Sequence, residues 1–264
     1  MNGRLKREEV EGRRMVVYTP PSYGLPGRRY PVAYLQDDGD VMMDTFNYLE
    51  HLFLSQQLPE LILVGVCPQD RSHEYTPWPA PSLRPGAPGF SGGGADYVKE
   101  LALTLKPAID GRYATLPEAE HTAVIGGSLG GLIALYAGYL YPEVFSRQGL
   151  LSASFWYEGI LEYMDSHTLQ GHDRRLYMYV GELEGCYKSN VQKEMVPNTR
   201  KAHALLQQQG FGEQRLRFET HPDGTHDTLF FSMHFPQALK WLFGHGGGAA
   251  SGTADGITSG VRNQ

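Results

Sequence analysis

The sequence predicts an α/β fold with a mostly parallel central sheet flanked by helices on both faces, and three observations predict it. Short β-rich runs recur along the chain, the later ones are apolar almost throughout, and segments able to form helices separate them. Strands buried on both faces read as continuous apolar runs, and helical crossovers between them make the sheet parallel.

The strand-like runs are residues 14–19 (RMVVYT), 30–35 (YPVAYL), 61–66 (LILVGV), 122–125 (TAVI), 148–151 (QGLL), 176–180 (LYMYV) and 216–220 (LRFET). Helices are expected over 96–109, 130–141, 197–209 and 228–243, with Pro197 suited to a first turn and Gly210 to a C-terminal stop. Residues 77–94 (PWPAPSLRPGAPGFSGGG) are too rich in Pro and Gly for regular structure and are expected as a long surface loop. The composition shifts again near the C-terminus. Residues 1–244 are therefore expected to form a single α/β domain, and 245–264, rich in Gly, Ser and Ala, a disordered tail.

A chain of 264 residues with 41% hydrophobic content can bury a sizeable core. A formal net charge of -6, with no cluster of Lys and Arg, gives no footprint for nucleic acid. Two cysteines, Cys67 and Cys186, exclude a disulfide scaffold but allow one bridge. The N-terminus is charged and no stretch is long and apolar enough to span a bilayer, so the expectation is a cytoplasmic protein with no membrane partner. A monomer and a homodimer both remain open.

The sharpest local signal is Gly126-Gly127-Ser128-Leu129-Gly130, a G-x-S-x-G pentapeptide between a strand-like run and a helix-like one. A serine on a tight strand-to-helix turn needs small neighbours, because the backbone is strained and the helix approaches the strand closely. This is the nucleophile turn of an α/β-hydrolase fold. Its hydroxyl needs a histidine base and an orienting carboxylate, expected downstream in the order Ser, acid, His. His226, in the turn-rich stretch HPDGTHD before the last helix, is the expected base and His221 its competitor. Glu184 is the expected acid and Glu182 the reserve, both following the strand-like LYMYV; Asp223 is a third option. An oxyanion hole would use the N–H of Leu129 and a second from Asp38 or Gly39, in the loop after YPVAYL. The aspartates of that loop lack the spacing and distal Glu of a calcium site, and no metal or other cofactor is expected. Trp156 and Tyr157, after a strand end, fit either an aromatic wall for an acyl ring or ordinary core packing.

Beyond these motifs, the segments RRYPVAYLQDDGD, LILVGVCPQDRSHEYTPWPAP, IGGSLGGLIALYAGYLYPEVF, LLSASFWYEG, VGELEGCYKSNVQKEMVPNT and FPQALKWLFG follow one another as in a known group. The chain resembles the putative-esterase family of α/β-hydrolases that includes siderophore esterases such as the enterobactin esterases and bacillibactin trilactone hydrolases. The resemblance implies Ser128 and His226 as the working pair and Glu184, in G-x-x-E, as the acid. It also implies that Arg71, followed by Glu74, Tyr75 and Trp78, meets an aromatic acyl group; a surface arginine paired with Glu74 is the plainer alternative. Where family members usually show a single Asp-Gly, this chain reads Asp37-Asp38-Gly39.

The expected reaction is hydrolysis of a small-molecule carboxylic ester through an acyl-enzyme, with a siderophore trilactone as one substrate class. Esterases of acylated sugars or feruloyl groups, acyltransferases and peptidases would share the same residues, and a catalytically silent binding protein would keep only the fold.

Overall fold

The computed structural model describes residues 2–171 and 173–244. The tail expected over 245–264 lies outside the described residues. Eight strands form one sheet: β1 (Arg4–Val10), β2 (Arg13–Thr19), β3 (Val32–Leu35), β4 (Ile62–Val66), β5 (Thr122–Gly127), β6 (Arg147–Leu151), β7 (Arg175–Gly181) and β8 (Leu216–His221), in the order β1-β2-β4-β3-β5-β6-β7-β8. The pairings β1–β2 and β2–β4 are antiparallel; all others are parallel. Helices are α1 (Asp40–Met43), α2 (Phe46–Leu54), α3 (Arg71–Glu74), α4 (Gly94–Glu100), α5 (Lys106–Arg112), α6 (Leu129–Leu140), α7 (Ile160–Ser166), α8 (Met195–Gln208) and α9 (Thr228–Phe243). A π-helical turn, Leu101–Leu105, joins α4 to α5.

The α/β-hydrolase fold expected from the sequence is the fold observed. Alternation along the strands divides the core in two. Val32, Tyr34, Val124, Met178 and Val180 face one layer with Tyr97, Leu101, Leu132 and Ala202 of the helical side that includes α4, α6 and α8. Ala33, Leu35, Ala123, Ile125, Tyr177 and Tyr179 face the other with Leu49 and Leu52 of α2 and Phe235 and Leu239 of α9. The parallel strands end along one rim, where their C-terminal loops gather, and this is where α/β sheets place ligands.

Strand β1 and helices α1, α2, α3 and α7 were not expected from the sequence. Strand β1, RLKREEV, carries charges that mask its alternation; it forms an exposed edge, held to β2 by a two-residue hairpin at Glu11-Gly12, where both φ angles are positive (50° and 79°). Helix α2 was missed because FNYLEHLFL follows no clear start signal, and its N-cap Thr45 makes no side-chain cap bond. The single bridge allowed by the cysteine count is not formed: Cys67 is buried and free, Cys186 exposed and free. Among the described residues no helix is long and apolar enough to cross a membrane.

At the far edge of the sheet, Glu219 of β8 accepts from Tyr177 Oη (2.6 Å) and Arg217 Nε (2.9 Å), and His234 Nδ1 lies 3.5 Å away. His234 first, then Tyr177 and Arg217, hold the Glu219 carboxyl down to about 2. A carboxyl depressed in the folded state adds stability above its unfolded value, near 4.5, and loses it as pH falls towards 2. Glu219→Gln is therefore expected to cost about 1–2 kcal/mol at pH 6. Urea denaturation at successive pH values should show that gap closing from about pH 5 down towards pH 2; a gap independent of pH would refute the linkage.

Candidate active site

Ser128 lies between β5 and α6 with φ 59° and ψ −122°, a backbone conformation disfavoured for an L-residue and typical of a strained functional turn. The glycines explain how it is reached. A Cβ on Gly126 would stand 2.5 Å from the carbonyl carbon of Gly130, so α6 could not leave β5 this closely with larger residues. Ser154 N–H donates to the Ser128 carbonyl (3.1 Å), fixing the turn from the neighbouring loop after β6.

Ser128 Oγ lies 3.0 Å from His226 Nε2, and His226 Nδ1 lies 2.6 Å from Glu184 Oε2. The other oxygen of Glu184 accepts from Gly181 N–H (2.9 Å) and from Ser152 Oγ, and the carboxylate is fully buried. His226 stands edge-on to Phe231 of α9, with ring centroids 5.3 Å apart. The loops carrying Glu184 and His226 are joined: Leu183 N–H donates to Gly224 O (3.0 Å) and Glu182 N–H to His221 O (3.0 Å). A Cβ on Gly181 would meet Gly224 O at 2.3 Å, so the close approach depends on glycine.

The competitors are turned elsewhere. Glu182 pairs with Arg200 (2.5 Å) on α8, and His221 ends β8 with Nδ1 accepting from Asp223 N–H (3.2 Å). Asp223 is exposed in that turn.

Loop 37–39 follows β3 and holds three consecutive positive φ angles, 55° at Asp37, 59° at Asp38 and 73° at Gly39. Gly39 N–H donates to Gln36 O (3.1 Å) within its own turn, and the residue packs on Gly65 of β4. This corrects the expectation for Gly39, whose amide is already spent; Asp38 remains the candidate from this loop. Leu129 N–H opens α6, where the first amides have no acceptor within the helix.

Arg71 of α3 donates from Nε and Nη2 to the two oxygens of Asp37 (2.7 and 3.0 Å). The plainer expectation of an Arg71–Glu74 pair is corrected: Glu74 is buried against Arg13 (2.9 Å), which also takes Glu100. Trp78 donates from Nε1 to Glu158 O (2.8 Å) and stacks at an angle among Tyr136, Tyr157 and Tyr163. Trp156 is buried against Tyr157 and against Phe90, which pairs with Ala80 across the neck of the Pro-rich loop, and its Nε1 has no acceptor among the described residues. Trp156 and Tyr157 are thus core residues, the second of the two expectations, and Trp78 of the loop itself packs against Tyr157; neither tryptophan belongs to the hydrogen-bonded line. Beside His226 opens a pocket of about 180 Å³ lined by Leu183, Tyr187, Lys188, Gln192 and Met195. A larger cavity, about 770 Å³, lies at the opposite end of the sheet around Arg29, Arg147 and Arg175 and includes none of these residues.

Sequence reasoning missed Ser152, Ser154, Tyr75 and Tyr97. The first two stand in SASFWYEG, where small serines beside bulky aromatic residues carry no signal of their own. Tyr75 Oη accepts from Asp37 N–H (2.9 Å), and Tyr97 Oη donates to Gln36 Oε1 (2.5 Å); burial pushes both phenols well above their ordinary range, so they stay protonated.

The fold, with a strained serine beside a His–Glu pair, is that of an α/β-hydrolase. The family model described as "Putative esterase" matches residues 9–242, and the chain belongs to that family. It is 35% identical over 244 residues to the uncharacterized protein YbbA of Bacillus subtilis (strain 168), covering 92% of this chain and 98% of that protein. It is 26% identical over 205 residues to the iron(III) enterobactin esterase of Escherichia coli (strain K12), covering 75% of this chain but 45% of that enzyme. Among solved structures, an IroE-like serine hydrolase from Shewanella oneidensis superposes with a TM-score of 0.75 at 22% identity, covering 91% of this chain and 80% of that one.

Proposed function

We propose that the protein is a serine esterase in which Ser128 attacks the carbonyl of a carboxylic ester. The observation that carries this reading is the continuous line Glu184–His226–Ser128, with contacts of 2.6 and 3.0 Å. His226 Nε2 takes the Ser128 proton as the hydroxyl attacks, and Glu184 accepts from Nδ1–H, fixing the tautomer and stabilising the imidazolium. The tetrahedral oxyanion is met by Leu129 N–H and Asp38 N–H. His226 then delivers its proton to the leaving alcohol, and the acyl-enzyme is cleaved by water activated by the same imidazole.

The substrate class is a siderophore-type ester such as a catecholate trilactone. Similarity to the iron(III) enterobactin esterase over three quarters of this chain supports it. The test is hydrolysis of p-nitrophenyl acetate and butyrate, and of a triserine trilactone bearing catecholamides, by wild type and Ser128→Ala at neutral pH with EDTA. Wild-type turnover that survives EDTA and is absent from the mutant is the expected result. Retained activity in Ser128→Ala would sink the nucleophile assignment, and turnover of simple esters without the trilactone would sink the substrate class.

A further inference from the structure

We propose that Arg71 serves this reaction through Asp37, as a charge-compensating and positioning residue, and that the Asp37–Arg71 pair makes the site indifferent to charge on the acyl group. The proposal rests on the serine-esterase reading above.

Asp37 is placed where a negative charge opposes the chemistry. Its Oδ2 lies 3.3 Å from where a Cβ on Gly130 would stand, so the carboxylate sits against the first turn of α6, beside Leu129. An oxyanion forming there would feel an unpaired carboxylate at close range as repulsion, in a partly buried setting where water screens it weakly. Arg71 removes that charge by a two-pronged bond, the strongest geometry an arginine offers a carboxylate. Its guanidinium also lies 5.4 Å from the ring centroid of Tyr75, the residue whose hydroxyl holds the Asp37 N–H. Asp37 is thus gripped at both ends from one short segment, which fixes loop 37–39 in its left-handed run.

The same geometry bears on selectivity. An arginine whose charge is already met by an internal carboxylate through Nε and Nη2 offers an anionic substrate only its Nη1 edge and little net charge. Asp37 is in effect the resident counter-ion of Arg71, in the place that a substrate carboxylate would otherwise take. The duplicated aspartate in Asp37-Asp38-Gly39 is the sequence mark of this arrangement.

The test compares Arg71→Met, Asp37→Asn and the double variant on p-nitrophenyl butyrate and on a p-nitrophenyl monoester of glutaric acid, with Ser128→Ala in the same assay. Arg71→Met is expected to lower kcat on the neutral ester by about tenfold or more with KM changed by less than about twofold, because the unpaired Asp37 acts on the transition state. The double variant should recover kcat to within about threefold of wild type, since the offending charge is gone. Asp37→Asn should raise the kcat/KM ratio of charged to neutral ester by about fivefold or more, by leaving the positive charge of Arg71 uncompensated. If Arg71→Met instead raises KM at constant kcat, or the double variant recovers nothing, the compensation idea is overturned while an inactive Ser128→Ala leaves the esterase reading standing. Activity retained by Ser128→Ala would overturn both.

Discussion

His226→Ala is expected to reduce kcat on p-nitrophenyl butyrate by about 10⁴–10⁶-fold, and adding Ser128→Ala to it should cost almost nothing more. The reason is that the two groups perform one proton transfer. Ser128 Oγ has no other base within hydrogen-bonding distance among the described residues; its second neighbour, Ser154 Oγ at 3.3 Å, is a hydroxyl of the same basicity. Without the imidazole the serine stays protonated and attack fails, whatever else the site retains. Single-turnover kinetics of both single variants and the double would check this, and additive losses would show that the residues act in separate steps. The fold should survive, because His226 is partly exposed in a loop and its ring meets Phe231 only at an edge.

The second large effect is expected at Glu184. Glu184→Ala should lower kcat by about 10³–10⁴-fold, less than loss of the base, because an imidazole without its carboxylate still accepts a proton but is poorly oriented. Unlike the other two, this substitution should also destabilise the protein, by about 2–3 kcal/mol: it strands Ser152 Oγ and Gly181 N–H, two donors in a fully buried corner. Glu182→Ala is the control. Its partner is the surface residue Arg200, and its loss should change kcat by less than about threefold and stability by under about 1 kcal/mol. Paired rate and thermal-denaturation measurements separate the two carboxylates; equal losses at both would mean that the acid has been misassigned between them.

Much of the fold was legible because the buried strands leave little choice: VAYL, ILVGV and TAVI have no polar face, so only a sheet covered on both sides accommodates them. The nucleophile turn was legible for a similar reason, since Gly126 and Gly130 have no space for a side chain. What escaped was set by tertiary contact. RLKREEV forms a strand only because β2 offers an open edge. Arg71 was readable as a surface residue or a ligand-binding one, and its actual partner, Asp37, is 34 positions away on another strand's loop. Gly39 resembled an amide donor by position, but the third left-handed residue in a row turns its N–H back to Gln36. Ser152 carries no local signal at all, because a buried serine beside a strand end becomes significant only once Glu184 has been brought over it.

The order of the sheet has a consequence for how such a protein changes over generations. Ser128, Glu184 and His226 hang from β5, β7 and β8, all in the later part of the chain, whereas the loop facing them and the helix that grips it hang from β3 and β4. Proton handling and control of the surrounding field are thus inherited on separate stretches of sequence. Substitutions in the earlier stretch can alter the field around the serine while the later stretch, which also lines the pocket beside His226, keeps the Glu–His–Ser line intact, so the two can vary independently among proteins sharing this scaffold.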